Sequence, residues 1–198
     1  GLRQVLEVVA AVVPGWLQER VTLEWVERYG QPLDSYRLPK SEKDKEGLAL
    51  TIGADGVHLL TSIHSDPDYI WLAAIPAVET MRRIWVQQYV YQDGVLCWRT
   101  DKEMPPATMR IVSPFDVEAR KGKKRDTRWL GYKVHLTETC DPDQPRLITH
   151  VETRIACQQD ALATEDIHQA LDAKQLMPEQ HIVDAGYVSG AHLVNSKE

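Results

Sequence analysis

The sequence predicts an α/β chain of the mixed α+β type, mainly helical over residues 1–92 and richer in strand over residues 93–198. Three observations carry this reading. Apolar residues recur at helical spacing through the first half, as at Leu2, Val5, Leu6 and Val9. Tyr132, Val134 and Leu136 alternate with Lys133, His135 and Thr137, the two-residue period of a strand. His181-Ile182-Val183-Asp184 is a short apolar run that ends on an acid, and Ala185-Gly186 lets the chain turn sharply after it.

The first stripe begins at residue 2 and is broken by Pro14-Gly15. A second helical piece, about residues 21–29, ends at Gly30 with Arg28 in its last turn. Leu17, Trp25 and Tyr29 read as core. Residues 39–47, PKSEKDKEG, are polar and mixed in charge, the pattern of a solvated face or loop. Val57, Leu60 and Ile63 then suggest a helix that starts near Asp55. His58 and His64 lie beside it without the spacing of a zinc site. Pro76 opens the clearest helix of this half, with Val78, Met81, Trp85 and Tyr89 on its buried stripe. Asp93-Gly94 is a hairpin-type turn before a strand at residues 95–99, and a further short strand is expected at residues 109–112.

In the second half, Leu147, Val151 and Ile155 share a face with Thr149 and Thr153, while His150, Glu152 and Arg154 point the other way. The turn Asp141-Pro142-Asp143-Gln144-Pro145 cannot continue either strand, so the two runs form an antiparallel hairpin. A helix follows, with Asp160 as its cap, Ala163, Ile167, Ala170 and Leu171 on one face, and Lys174 in the last turn. Ser189 is placed to cap a final helix.

Composition bounds the function. The formal charge of -6 argues against a simple nucleic-acid coat protein. Cys97, Cys140 and Cys157 are odd in number and lack a C-x-x-C spacing, which suggests free thiols in a reducing compartment. No signal peptide, lipidation motif or membrane-spanning apolar run is present, and a cytoplasmic location is expected. No nucleophile elbow or glycine-rich phosphate loop occurs. Two features carry chemistry. Residues 120–128, RKGKKRDTR, hold six basic residues in nine: Arg120, Lys121, Lys123, Lys124, Arg125 and Arg128. Read as a loop before the hairpin, this segment offers several contacts to a phosphate backbone, and Trp129 beside it could stack on a base or serve as the strand's first core residue. The other is Asp184, at a strand end where open α/β sheets place ligands and metals, or else simply the cap of the next turn.

The strings SPFDVEARKGKKRDTRWLGYKVHLTETCD, LITHVETRIA and IHQALDAKQLMPEQHIVDAGY closely resemble bacterial insertion-sequence transposases of the DDE class. Upstream, RLPKSEKDKEGLALTIGADG and IPAVETMRRIWVQQYV resemble the segment those proteins carry between their first two catalytic acids. The resemblance implies an RNase H-like fold in which three acids hold two divalent ions, Mg2+ or Mn2+, for phosphodiester cleavage and strand transfer. It implies DNA (transposon ends and target) as partner, no membrane, and pairing of two chains in the intact enzyme. Asp184 in HIVDAGY matches the second acid, both catalytic and metal-binding. The first acid, in a Thr-Asp-Ser-Thr-His type motif, has no counterpart, Asp116 in SPFDVEAR is a poor substitute, and Glu198 does not stand for the final glutamate. The expectation is therefore an internal fragment with a partial RNase H-like core of hairpin, helix and strand, inactive alone because one carboxylate cannot hold a metal pair. The alternatives are a non-catalytic DNA-binding remnant that uses the basic segment, and an inert decayed fragment.

Overall fold

A computed structural model describes residues 1–31 and 38–195; Glu198 lies outside the described residues. The chain is mixed α+β, with two small antiparallel sheets. It divides into two compact units, residues 1–106 with 113–117, and residues 107–112 with 118 onward. The division therefore falls later than residue 93, and the first hairpin stays with the helices.

The first unit contains α1 (Leu2–Val12), α2 (Pro14–Gln18), α3 (Leu23–Tyr29), α4 (Glu42–Ser65) and α5 (Pro76–Gln88), followed by the hairpin of β1 (Tyr89–Gln92) and β2 (Val95–Trp98). Helix α4 is much longer than the sequence suggests. Ser41 caps it by accepting the Asp44 N–H at 3.1 Å, so most of the polar run is its first turns, a solvated face rather than a loop. Its buried side is Gly53, Gly56, Leu59 and Ile63, where two glycines hide the stripe from a hydrophobicity pattern. Their role is steric. A Cβ on Gly56 would stand 2.1 Å from Trp85 Cε2, and one on Gly53 would stand 2.4 Å from Tyr89 Cε1. The aromatic rings thus lie directly on the α4 backbone, and Trp85 Nε1 donates to Gly53 O at 2.9 Å. Val5, Val9, Leu59, Ile63, Leu72, Val78 and Met81 complete a fully enclosed core. Asp66 accepts from Trp16 Nε1 and from Arg20, both at 2.9 Å. Asp55 accepts from Tyr29 Oη at 2.5 Å and pairs with Arg28. His58 and His64 each meet a backbone carbonyl, of Arg20 and Leu60.

The second unit is built on a sheet of order β3-β4-β5, formed by β3 (Arg120–Lys124), β4 (Thr127–Glu138) and β5 (Ile148–Ile155). The basic segment is therefore a two-stranded ribbon rather than a loop. Lys124 faces Thr127 across the Arg125-Asp126 turn, where Arg125 takes a left-handed backbone (φ 55°). β4 continues into the expected hairpin with β5, pairing His135 with Glu152 and Leu136 with Val151. Helix α6 (Thr164–Ala173) starts four residues after Asp160, which sits in a preceding 3-10 turn and does not cap it. Helix α7 (Gly190–Asn195) begins after Ser189, whose hydroxyl accepts the His192 N–H at 3.2 Å. Two expected strands are absent: residues 109–112 and residues 181–184 have no ladder partner among the described residues, and a strand without a ladder leaves its backbone groups to solvent.

The rings on Gly53 and Gly56 set a measurable constraint. Gly56→Ala should lower stability by about 1–3 kcal/mol through overpacking. Gly15→Ala, where nothing lies within 4 Å of the added methyl, should leave stability equal or raise it by about 0.5 kcal/mol. Urea unfolding of both variants checks the opposite signs.

Candidate functional site

Alternation in the β4–β5 hairpin gives one apolar and one polar face, and the covered face is the polar one. Val134, Leu136 and Val151 are 60%, 60% and 52% exposed, whereas His135 is 5% exposed. Most of these polar side chains find partners on α6 and the turns that flank it, although His150 Nε2 and Arg154 Nε are buried without a hydrogen bond. Lys133 Nζ donates to Asp160 Oδ1 at 2.7 Å and to Gln158 O at 2.6 Å. His135 Nδ1 meets Tyr187 Oη at 2.6 Å. Arg154 pairs with Glu152 at 2.7 Å and with Asp166. Lys174 Nζ donates to Thr149 O and reaches His150 Nδ1 at 3.0 Å. Burial pushes the His135 imidazole below its ordinary range, with Asp160 opposing and Lys133 adding to the shift. It pushes the Tyr187 hydroxyl up, and the carboxylates of Asp160 and Asp184 add to that shift.

Asp184 lies at the edge of this cluster. It lines a cavity of about 780 Å³ together with His135, Thr137, Ile167, His181 and Tyr187. It does not end a strand. Its Oδ1 accepts the Gly186 N–H at 2.6 Å and caps the 3-10 turn Ala185–Tyr187, the alternative role open to it from the sequence. Ile182 before it is 78% exposed, so the apolar run that reads as a buried strand is not buried. Two apolar residues, Ile182 and Val183, are too few to drive burial without a neighbouring strand to pair with. A Cβ on Gly186 would stand 2.8 Å from Asp184 Oδ1 and 3.7 Å from Asp160 Oδ2, so both carboxylates face one point of the backbone.

These residues do not fit a pair of divalent metals. Among the described residues no group of three His, Cys, Asp or Glu side chains converges to hold an ion. Asp160 is neutralised by Lys133, and Asp184 is committed to a backbone donor. Asp116 belongs to the other unit and sits on no strand.

The basic ribbon leaves most of its cations in solvent. Lys121, Lys123, Lys124, Arg125 and Arg128 are exposed, and none pairs with a carboxylate among the described residues. Lys123 sits directly across from Arg128. Arg120 differs: its guanidinium is spent on Thr108 O at 2.7 Å and Ala119 O at 2.9 Å. Trp129 differs too. Its indole covers Gly122, where a Cβ would stand 2.4 Å from the ring, and its Nε1 donates to Tyr132 O at 3.0 Å. It serves as a packing residue, as its position at the strand's start allows.

Sequence reasoning missed Asp160, Tyr187 and the histidines that meet across this unit. Their separations are 27 residues for Lys133 to Asp160 and 52 for His135 to Tyr187, beyond any local pattern. No family model, no curated protein and no solved structure matches the chain. No described helix is long and apolar enough to cross a membrane.

Tyr187→Phe removes one hydroxyl and leaves the His135 imidazole enclosed without its partner. It should lower the stability of this unit by about 1–3 kcal/mol, read as a lower urea midpoint for the α6 amide signals.

Proposed function

We propose that this chain is an internal portion of a cytoplasmic DDE-class DNA transposase that contacts DNA through the β3–β4 ribbon and does not cleave it alone. The reading rests on the resemblance of the strings quoted above to that class. The single structural observation that favours it is the ribbon itself: five exposed cations without counter-ions, in a chain whose net charge is -6. A duplex carries its own dense negative charge, and each neutralised phosphate releases condensed counter-ions. A two-stranded ribbon also has the cross-section that a major groove admits.

The intact class uses Mg2+ or Mn2+ to activate water or a 3′-hydroxyl. Among the described residues, those around Asp184 do not make such a site. The committed carboxylates of Asp160 and Asp184 favour the reading in which DNA contact survives without catalysis.

Binding of the full chain to a random-sequence duplex should weaken with salt along a log–log slope of about -4, the value for four to five phosphate contacts. Charge reversal at Lys123 and Arg128 together should weaken binding at least about tenfold and flatten the slope by about two. Asp184→Ala should leave binding unchanged. Binding indifferent to the ribbon charges would reject contact through it. Magnesium- or manganese-dependent nicking that disappears in Asp184→Ala would overturn the inactivity.

A further inference from the structure

The stretch that carries Asp184 is held in an unusual way. Helix α6 ends at a turn in which Leu176 N donates to Leu171 O, and the next backbone bond in the chain is Tyr187 N to Asp184 O. Between them, residues 177–183 make no backbone hydrogen bond among the described residues. The stretch has one polar tie to another element: His181 Nδ1 lies 2.8 Å from Nε2 of His168 on α6. The ring centroids are 5.0 Å apart and the planes are tilted by 52°, so the two nitrogens meet nearly head to head.

That contact has a strict proton requirement. One imidazole must present an N–H and the other a lone pair. The bond survives with both rings neutral, and it survives with one ring protonated. With both protonated, two N–H groups and two positive charges face each other at hydrogen-bond distance, and the tie becomes a repulsion.

We infer that His168 and His181 form an acid-released clasp that positions the Asp184 segment against α6 while at least one ring is neutral. The clasp does not depend on the transposase reading; it concerns how the segment is held, whatever Asp184 does. Burial, and then the neighbouring His168, hold the His181 imidazole below its ordinary range. A histidine whose folded-state pKa is depressed contributes its stability fully above the unfolded value and loses it as pH falls through the folded one. The clasp therefore opens on the acid side of about pH 6.5. The other ionisable groups around it act on the same equilibrium. Glu138, Cys140 and Asp141 line the cavity from β4 and the turn after it, Glu179 and Asp184 line it from the segment itself, and His135 and Tyr187 complete that lining. On α6, Glu165 and Asp172 lie one turn to either side of His168.

Nitrogen relaxation of the full chain by nuclear magnetic resonance tests this. Backbone order over residues 177–183 should fall between about pH 7.5 and about pH 5 to an order parameter below about 0.6, while β4 keeps its order. In His168→Gln and in His181→Gln that pH step should vanish. His135 stays in both variants, so a step that survives in both belongs to the His135–Tyr187 contact and overturns the assignment. Absence of the step in the parent chain overturns it as well. If either variant loses order in β4, the imidazole nitrogen spectrum of the parent decides. A shared N–H···N proton that disappears together with the backbone order of residues 177–183 supports the clasp, and two rings titrating independently refute it.

Discussion

The second unit depends on one choice of side: the β4–β5 hairpin turns Lys133, His135, His150, Glu152 and Arg154 toward α6 and its flanking turns. Covering polar groups is tolerable only when each finds a partner, because an unsatisfied buried donor or acceptor loses its water without compensation. Here Asp160, Tyr187, Asp166 and Lys174 supply most of those partners from the chain that follows the hairpin, and His150 Nε2 and Arg154 Nε are left with only the charge of Glu152 beside them. The apolar Ala163, Ile167 and Leu171 of the α6 region pack together with Tyr187, which also reaches His135 by its hydroxyl. Tyr187 thus joins a small apolar cluster to a polar network, and the turn headed by Asp184 is fixed in place because it leads into that residue.

The same choice leaves Val134, Leu136 and Val151 outward. Period-two alternation specifies that two faces differ, and it does not specify which face is covered. A polar face is chosen when long-range partners can satisfy it, and those partners lie tens of residues away. This is why the hairpin, its register and its turn were legible from local residues while the orientation of its faces was not. Asp160 illustrates the point. Its place before a helical stripe reads as a cap, yet an ammonium from β4 competes for the carboxylate, and the helix begins later.

In the first unit the legible parts were those written in ordinary chemistry: the stripe of α1, the proline that opens α5, the glycine that ends α3. The missed part was the first half of α4, before Asp55, because its buried face is partly made of residues with no side chain. Gly53 and Gly56 weaken a helix by propensity. They are kept there by Trp85 and Tyr89, whose rings occupy the volume that a Cβ would need and whose polar atoms bond α4 carbonyls at 2.9 and 2.8 Å. Helix propensity argued against the element, and aromatic packing on bare backbone decided it.

The candidate site shows a corresponding split. The basic run was legible as charge, since six cations in nine residues need no tertiary knowledge, but its form was not: the expected loop is a ribbon closed by a two-residue turn. Folding also sorted its members. Arg120 and Trp129 were drawn into local bonds, while five cations were left facing water without counter-ions. Around Asp184 the opposite happened. Asp160 pairs with Lys133, Asp184 accepts the Gly186 amide, and among the described residues no group of three acids, histidines or cysteines converges, which is what a pair of hard divalent cations requires. Attraction for a polyanion needs only unpaired positive charge on an accessible surface, a property that one strand pair can carry by itself. Holding a metal pair needs several carboxylates brought to one point by separate strands. Among the described residues the first condition is met by neighbours in sequence, whereas Asp160 and Asp184, the two acids that face one point of the backbone at Gly186, are joined by no third.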